Sequence, residues 1–309
     1  MSLELVQSII GLGLAMSAPV AISSLGEVFS ERSGLINLGI DGIMLMSAFV
    51  SFHAVFLTGN IFVGYLLGIA TGIMLGLLLG FFTVILRFNQ VVAGMGLYFL
   101  GFGLSDFLYR ALYADKIVFI PKTSTLRIPL LSEIPLIGGA LFNQYPGVYL
   151  MFILTGIMHF ILYYTRVGLW VRALGENPRA CDAAGINVTL YRLFSLALGS
   201  ALAGLAGAIL CLEITGLFYE NLTYGMGFIA IGLAYFGKWN PSRSLVGSLI
   251  FGVTWSVGIS LQDIFIKIGR PEMTYFMIML PYLAVLLSLL AISRGARPPA
   301  SLGKPYYRE

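Results

Sequence analysis

The sequence predicts an all-α polytopic membrane protein, and three observations carry that expectation. Hydrophobic residues make up 58% of the 309 and charged residues only 10%, where a soluble domain carries about 25% charged residues. Mean hydropathy is +0.92. The apolar residues also fall in runs of about 20, the length that crosses a hydrocarbon core roughly 30 Å thick as a helix. A chain of this length is filled by on the order of eight to ten crossings. That excludes a fused cytosolic ATPase, a periplasmic binding domain of ordinary size and a large enzyme domain, and it makes residues 1–309 a single transmembrane domain.

Eight spans can be drawn: Leu5 to Leu25, Leu35 to Leu57, Ile61 to Leu86, Val91 to Leu112, Val148 to Thr165, Tyr191 to Leu212, Leu245 to Leu261 and Met273 to Ile292. The first basic residue is Arg32, and Glu4 precedes the first run, so that run reads as a retained span instead of a cleaved signal. In the third span Gly64, Gly68, Gly72, Gly76 and Gly80 share one helical face, which lets another helix backbone approach closely. A ninth segment, Gly225 to Gly237, is short and interrupted by Gly227 and Gly232, as in a broken or re-entrant helix. Residues 113–147, with Pro121, Pro129, Pro135 and Pro146, form an ordered extracytoplasmic loop; residues 166–190 form a cytoplasmic connection and 293–309 a cytoplasmic tail.

Orientation follows from the 18 Lys and Arg residues. If the short ninth segment crosses, Arg32, Arg87, the 166–192 connection, Lys238, Arg243 and the tail (Arg294, Arg297, Lys304, Arg308) share one side with 12 charges. The other side keeps six: Arg110, Lys116, Lys122, Arg127, Lys267 and Arg270. The positive-inside bias then places the tail in the cytoplasm and the N-terminus outside. If the segment re-enters, the basic tail falls outside. The net charge of +4 lies in loops between apolar runs, so it determines topology and does not bind nucleic acid.

The 166–192 connection holds more turn chemistry than a simple link requires. Asn177 is placed to cap a short helix, Pro178 occupies its first position, and Gly185 closes it. The alternative is an interfacial amphipathic helix with no partner, for which Cys181 and the alanines make a poor lipid-facing stripe.

Four segments then carry a resemblance: Glu31 to Phe49 (ERSGLINLGIDGIMLMSAF), Arg172 to Ile186 (RALGENPRACDAAGI), Ser200 to Ala208 (SALAGLAGA) and Tyr224 to Pro241 (YGMGFIAIGLAYFGKWNP). In this order they resemble the permease family of ATP-binding-cassette importers that includes the branched-chain amino acid and ribose permeases. The second and fourth segments are most similar to the nucleoside and simple-sugar branch. The resemblance implies a type II importer-like permease in a bacterial inner membrane. Its partners would be a separate ABC ATPase, a second permease subunit that is identical or homologous, and an extracytoplasmic substrate-binding protein. The chain would hold no cofactor, ATP and magnesium belonging to the ATPase. It further implies that Arg172 to Ile186 is the coupling helix, with Arg172, Gly175, Glu176, Asn177, Pro178, Ala180 and Gly185 as its coupling residues.

Candidate pathway residues come from chemistry out of place in a membrane. Asn37, Asp41 and Met44 stand at helical spacing at the start of the second span, and a buried carboxylate is costly enough to mark function. Gly34, Gly39 and Gly42 interleave them and permit unwound backbone. The alternative is that Asp41 neutralises Arg32 or Arg87. Gln90 joins the pathway set, although Asn89 and Gln90 also suit an interfacial turn. Tyr224 and Phe228, beside Gly225 and Gly227, offer aromatic faces to a nucleobase or the apolar face of a sugar, against the alternative of an interfacial belt. Without an excess of intramembrane positive charge the site suits a neutral solute better than a phosphate or free carboxylate. Nucleosides are therefore the expected substrate, with simple sugars or branched-chain amino acids as alternatives.

Other matches carry no function. Gly232 to Lys238 mimics a P-loop, but Trp239 stands where magnesium needs Ser or Thr. Asn187-Val-Thr189 and Asn221-Leu-Thr223 are not credible glycosylation sites. Asp106 and His159 read as satisfied packing residues, and Cys181 and Cys211 have neither a disulfide framework nor metal-ligand neighbours. No metal site and no catalytic kit stand out, including no paired carboxylates, so an enzyme is not expected. The rivals are a secondary transporter using Asp41 or Asp106 for a coupling proton, and a passive channel. A proton-coupled carrier would want several ionisable groups facing one another.

Overall fold

The computed structural model describes residues 3–114, 116–134, 138–292 and 295–307. Pro135, Arg294 and Arg308, and the side chain of Glu4, lie outside this description. Among the described residues eight helices are long and apolar enough to cross a membrane. In order, the helices are α1 (Leu3–Arg32), α2 (Ile40–Thr58), α3 (Ile61–Gly80), α4 (Gln90–Tyr113), α5 (Gly138–Phe142), α6 (Pro146–Tyr164), α7 (Arg166–Glu176), α8 (Pro178–Ala183), α9 (Val188–Ile209), α10 (Met226–Phe236), α11 (Pro241–Lys267) and α12 (Thr274–Ile292). A single π-turn extends α3 at Phe81–Ile85 and another extends α9 at Leu210–Thr215.

Helix α11 runs from Pro241 to Lys267, past the expected Leu245 to Leu261 at both ends, and two other spans depart from their expected limits where they meet. Helix α1 runs two turns past Leu25 to Arg32, although Glu27, Ser30, Glu31 and Arg32 break its apolar pattern. Helix α2 begins at Ile40 instead of Leu35, leaving residues 33–39 non-helical. The unwound amides would be costly in a membrane without partners. Side chains supply them: the Ile36 N–H donates to Gln90 Oε1 at 2.9 Å and the Asn37 N–H to Glu27 Oε1 at 3.0 Å.

Helices α1, α2 and α9 form the inside of the bundle, and their crossings are backbone on backbone. A Cβ at Gly72 of α3 would lie 2.9 Å from Gly204 Cα of α9 and closer still to the Ser200 carbonyl. Gly26 of α1 meets Gly199 of α9 in the same way. With no hydrophobic drive between helices in lipid, such close approach is what holds them together.

The bundle has two distinct ends. At one, Arg192 at the start of α9, Trp239 after α10 and the tail all touch the 31–34 segment. At the other, the end of α9 meets the 113–147 loop, where the N–H of Thr123 bonds to the Leu212 carbonyl and that of Ile120 to the Gly216 carbonyl. A two-stranded antiparallel ribbon, β1 (Leu126–Arg127) on β2 (Asn143–Gln144), orders that loop. Residues 216–239 therefore traverse the bundle, half as irregular chain and half as α10. The basic tail lies at the same end as Arg32.

Candidate functional site

The irregular 216–225 stretch ends in left-handed backbone, with φ of +57° at Asn221, +47° at Tyr224 and +75° at Gly225. Positive φ is rare for an aromatic residue and is tolerated where surroundings enforce it. Here it turns the chain into α10, so that the N-terminus of α10 meets the N-terminus of α2 inside the bundle. Asp41, in the first turn of α2 and fully buried, accepts from the Gly227 N–H at 2.8 Å and from Thr223 Oγ1 at 3.0 Å. Two helix N-termini thus converge on one carboxylate, the arrangement by which broken membrane helices hold charge without a cation. Asp41 forms no ion pair with Arg32 or Arg87. Arg32 donates to the carbonyls of Trp239 and Lys238, and Arg87 lies over the Tyr307 ring.

Aromatic side chains gather around this junction. Phe228 meets Tyr98 of α4 edge to face at 5.0 Å, Tyr224 lies 6.4 Å from Trp255 of α11, and Trp255 lies 6.2 Å from Tyr282 of α12. The Tyr282 hydroxyl donates to the Tyr224 carbonyl at 2.8 Å. A cavity of ≈ 220 Å³ opens beside Tyr224 and Trp255, with Met277 and Pro281 as apolar walls and Gln262 as its one amide. That is below the roughly 300 Å³ of a typical small-ligand pocket, enough for one ring in this conformation.

The structure brings Asp41, Tyr224 and Phe228 together and sets the other pathway candidates apart. Asn37 is fully buried, its amide nitrogen 3.4 Å from Ser200 Oγ. Met44 is buried against α1, its sulfur accepting from Ser23 Oγ at 3.3 Å. Gly39 packs on Leu97 and Gly94 of α4. Gln90 is buried and holds the Ile36 amide, while Asn89 caps α4 through the N–H groups of Val91 and Val92.

Sequence reading missed three buried carboxylates. Glu27 and Glu31 stand one turn apart near the end of α1; Glu31 accepts from the indole N–H of Trp239. Glu213, in the π-turn of α9, accepts from the Tyr65 hydroxyl at 2.6 Å and the Gly147 N–H at 3.0 Å. Glu27 and Glu31 accept from groups of irregular chain, whereas Glu213 ties the end of α9 to α3 and to the first turn of α6. Tyr98, Trp255 and Tyr282 were also missed, each lying in an unbroken apolar helix.

At the tail end, α7 and α8 meet at a tight corner. Asn177 Oδ1 accepts from the Ala180 N–H at 3.1 Å, Pro178 begins α8, and Gly185 takes φ +81°. Cys181 faces inward with Leu174 and Val188, and burial pushes its thiol up. Glu176, Asn177, Arg179, Ala180 and Ala183 face outward. Arg172 lies under this surface with its guanidinium over the Tyr163 ring at 5.1 Å. Gly175 has no room for a side chain, because a Cβ there would overlap the Arg32 carbonyl and touch Pro299.

The Gly232 to Lys238 segment lies in helix α10 and the turn after it, not in a phosphate loop. Asp106 pairs with Arg110 at 2.9 Å, and His159 Nδ1 lies 3.1 Å from Ser242 Oγ. Among the described residues no cluster of His, Cys, Asp and Glu could hold a metal.

Comparison with known proteins gives this geometry a family. Residues 9–286 match the family described as branched-chain amino acid transport system, permease component. The nucleoside ABC transporter permease NupC of Lactococcus lactis is 34% identical, covering 98% of this chain and 97% of its own. The guanosine ABC transporter permease NupQ of Bacillus subtilis is 33% identical over 99% of this chain and 98% of its own. A Haloferax volcanii permease named for glucose is 35% identical over 79% of this chain and 74% of its own. An inward-facing structure described as a metal-chelate type ABC transporter superposes with a TM-score of 0.50 at 16% identity, covering 92% of this chain and 85% of that one. It supports the fold alone. The permeases of this family are non-catalytic, carry no cofactor and work with an ATPase that binds ATP and with a substrate-binding protein. With nearly the whole helical array matched, the chain belongs to this family as a multi-pass permease subunit of an ABC transporter, in its nucleoside and sugar branch.

Proposed function

We propose that this permease conducts nucleosides inward, and that the junction of α2 and α10 is part of its pathway. One observation carries the reading: two runs of aromatic rings, Tyr98 with Phe228 and Tyr224 with Trp255 and Tyr282, flank the α2–α10 junction, where N–H and hydroxyl donors hold the Asp41 carboxylate. Rings bind the flat face of a nucleobase, and a carboxylate accepts from its N–H groups or from ribose hydroxyls. With no cation in the cluster, a nucleotide's phosphate would go uncompensated. The nucleoside and guanosine permeases that align end to end lend further support.

In this reading the tail end is cytoplasmic, following its excess of Lys and Arg, and the membrane is the bacterial inner membrane. The outward face of the α7–α8 corner, with Glu176 of α7, the capping Asn177 and Ala180 of α8, docks on the ATPase. A second permease, identical or homologous, completes the pathway, and the binding protein delivers substrate at the 113–147 end. ATP-driven closure of the ATPases opens the pathway outward, and hydrolysis resets it.

Uptake of radiolabelled adenosine, guanosine and uridine by cells expressing the complete system tests the substrate. Asp41→Ala, Phe228→Ala and Tyr224→Ala are each expected to lower uptake by more than they lower protein level, by roughly tenfold for a lost base-stacking partner. Uptake of ribose or leucine, with no entry or competition by nucleosides, would return the assignment to a sugar or an amino acid. A single cysteine at position 37 or 41 offers a second check. Both positions are fully buried here, as are Cys181 and Cys211, so labelling by a water-soluble thiol reagent should be slow at rest and accelerate when ATP is added. Inertness in every nucleotide state would make Asn37 and Asp41 packing residues only.

A further inference from the structure

Behind α8, on the side away from its outward face, a cavity of ≈ 310 Å³ lies between the turn after α3, the α8–α9 connection and the tail. Two arginines line it. Arg192 is 2% exposed, and its guanidinium bonds only to neutral oxygens: the Ser33 carbonyl at 3.3 Å, the Lys304 carbonyl at 3.4 Å and Ser301 Oγ at 3.4 Å. Arg87 stands at the rim with φ +59° and its guanidinium 5.1 Å from the Tyr307 ring centre. Neither arginine forms an ion pair among the described residues. The one carboxylate in the wall, Asp182, accepts from the Tyr306 hydroxyl at 2.8 Å.

A buried guanidinium held by three long bonds to neutral acceptors is a charge short of its counterion, and such a charge is costly to keep. The cavity that Arg192 and Arg87 line is the space that an anion would fill. Two arginine forks match the paired oxygens of a phosphate better than any neutral ligand. Position narrows the source. Thr83 and Val84, from the end of a membrane span, form one wall, and the exposed apolar side chains of Ile85, Leu86, Phe88 and Leu190 flank it. On the other face of the same turn an apolar groove of ≈ 450 Å³ runs from Phe82 and Phe88 along Leu78 and Leu100. Basic pockets between helices at the membrane surface are where anionic headgroups bind.

We propose that this cavity binds the phosphate of an anionic phospholipid, with Arg87 and Arg192 as its ligands. The bound headgroup bridges the α3 turn, the α8–α9 connection and the tail, and so steadies α8 from behind. The inference does not depend on the transported substrate.

Native mass spectrometry of the purified full-length chain in neutral detergent tests it, with phosphatidylglycerol, phosphatidylcholine and inorganic phosphate as probes. Phosphatidylglycerol should bind at least about fivefold more tightly than phosphatidylcholine, the effect of one basic side chain at a lipid surface. Arg87→Gln should remove that preference, and Arg87→Lys should keep part of it. Arg87 carries the test because Arg192 also ties the tail, so its variants risk misfolding. Excess inorganic phosphate should displace phosphatidylglycerol. Equal binding of the two lipids, or an unchanged preference in Arg87→Gln, overturns the proposal. Phosphate binding without any lipid preference overturns the lipid source. Weakened ATPase association in Arg87→Gln with lipid binding intact would assign the cavity to an acidic side chain of the ATPase and also overturn it.

Discussion

Ala180→Arg is expected to abolish transport and ATPase stimulation while leaving the permease in the membrane at its normal level. Position 180 lies on the outward face of α8, where its side chain touches nothing that the bundle needs. If that face enters a groove on the ATPase, a guanidinium there buries an unpartnered charge at the centre of an interface, a loss of about 2 kcal/mol or roughly thirtyfold in affinity. Co-purification of the ATPase with the variant, and ATP-dependent uptake in proteoliposomes holding the whole complex, measure it. Unchanged uptake would remove α8 from the coupling path. Gly175→Trp would not serve as well, because a side chain there strikes the Arg32 carbonyl and tests folding instead of docking.

Gly72→Val should cost more than any pathway substitution, because it acts on the bundle itself. Its Cβ would overlap the Ser200 carbonyl and lie 2.9 Å from Gly204 Cα, forcing α3 off α9 along the whole crossing. Overpacking of this kind costs about 1–3 kcal/mol even where side chains can move, and here the obstacle is backbone. Folded protein in the membrane should fall several-fold or more. Gly103→Val is the control, since a Cβ at that position of α4 meets nothing within 4 Å. Equal loss in both variants would show that glycine content matters, and not the α3–α9 contact.

The difference between what could be read in advance and what could not is physical. The four-residue glycine spacing of α3 and the Asn177–Pro178–Gly185 punctuation are local signals, each legible within a single stretch of sequence. Glu27 and Glu31 were not legible, because a hydropathy pattern ends where polar residues begin. Only the distant partners of those carboxylates, the Asn37 amide and the Trp239 indole, make helix there tolerable. The aromatic cluster was half visible. Tyr224 and Phe228 stand beside Gly225, where the chain turns into α10, although α10 then runs unbroken through Gly227 and Gly232 against the expected interruption; Tyr98, Trp255 and Tyr282 lie in continuous apolar helices with no sign of which ring faces inward. Gln90 shows the converse: a polar residue in a membrane segment suggested a pathway, and the structure gives it a backbone amide to hold.

The tail closes on chain made much earlier. Ser301 Oγ donates to the Leu174 carbonyl at 2.9 Å, the Ser301 N–H reaches the Gly175 carbonyl at 2.8 Å, and the Tyr306 hydroxyl holds Asp182. Because synthesis runs from the N-terminus and domains fold as they emerge, α7 and α8 leave the ribosome more than a hundred residues before the segment that clasps them. The α7–α8 corner is thus among the last parts of the molecule to be finished. If α8 docks on the ATPase, a permease truncated before Ser301 is expected to insert its helices and to co-purify with less ATPase than the full chain does.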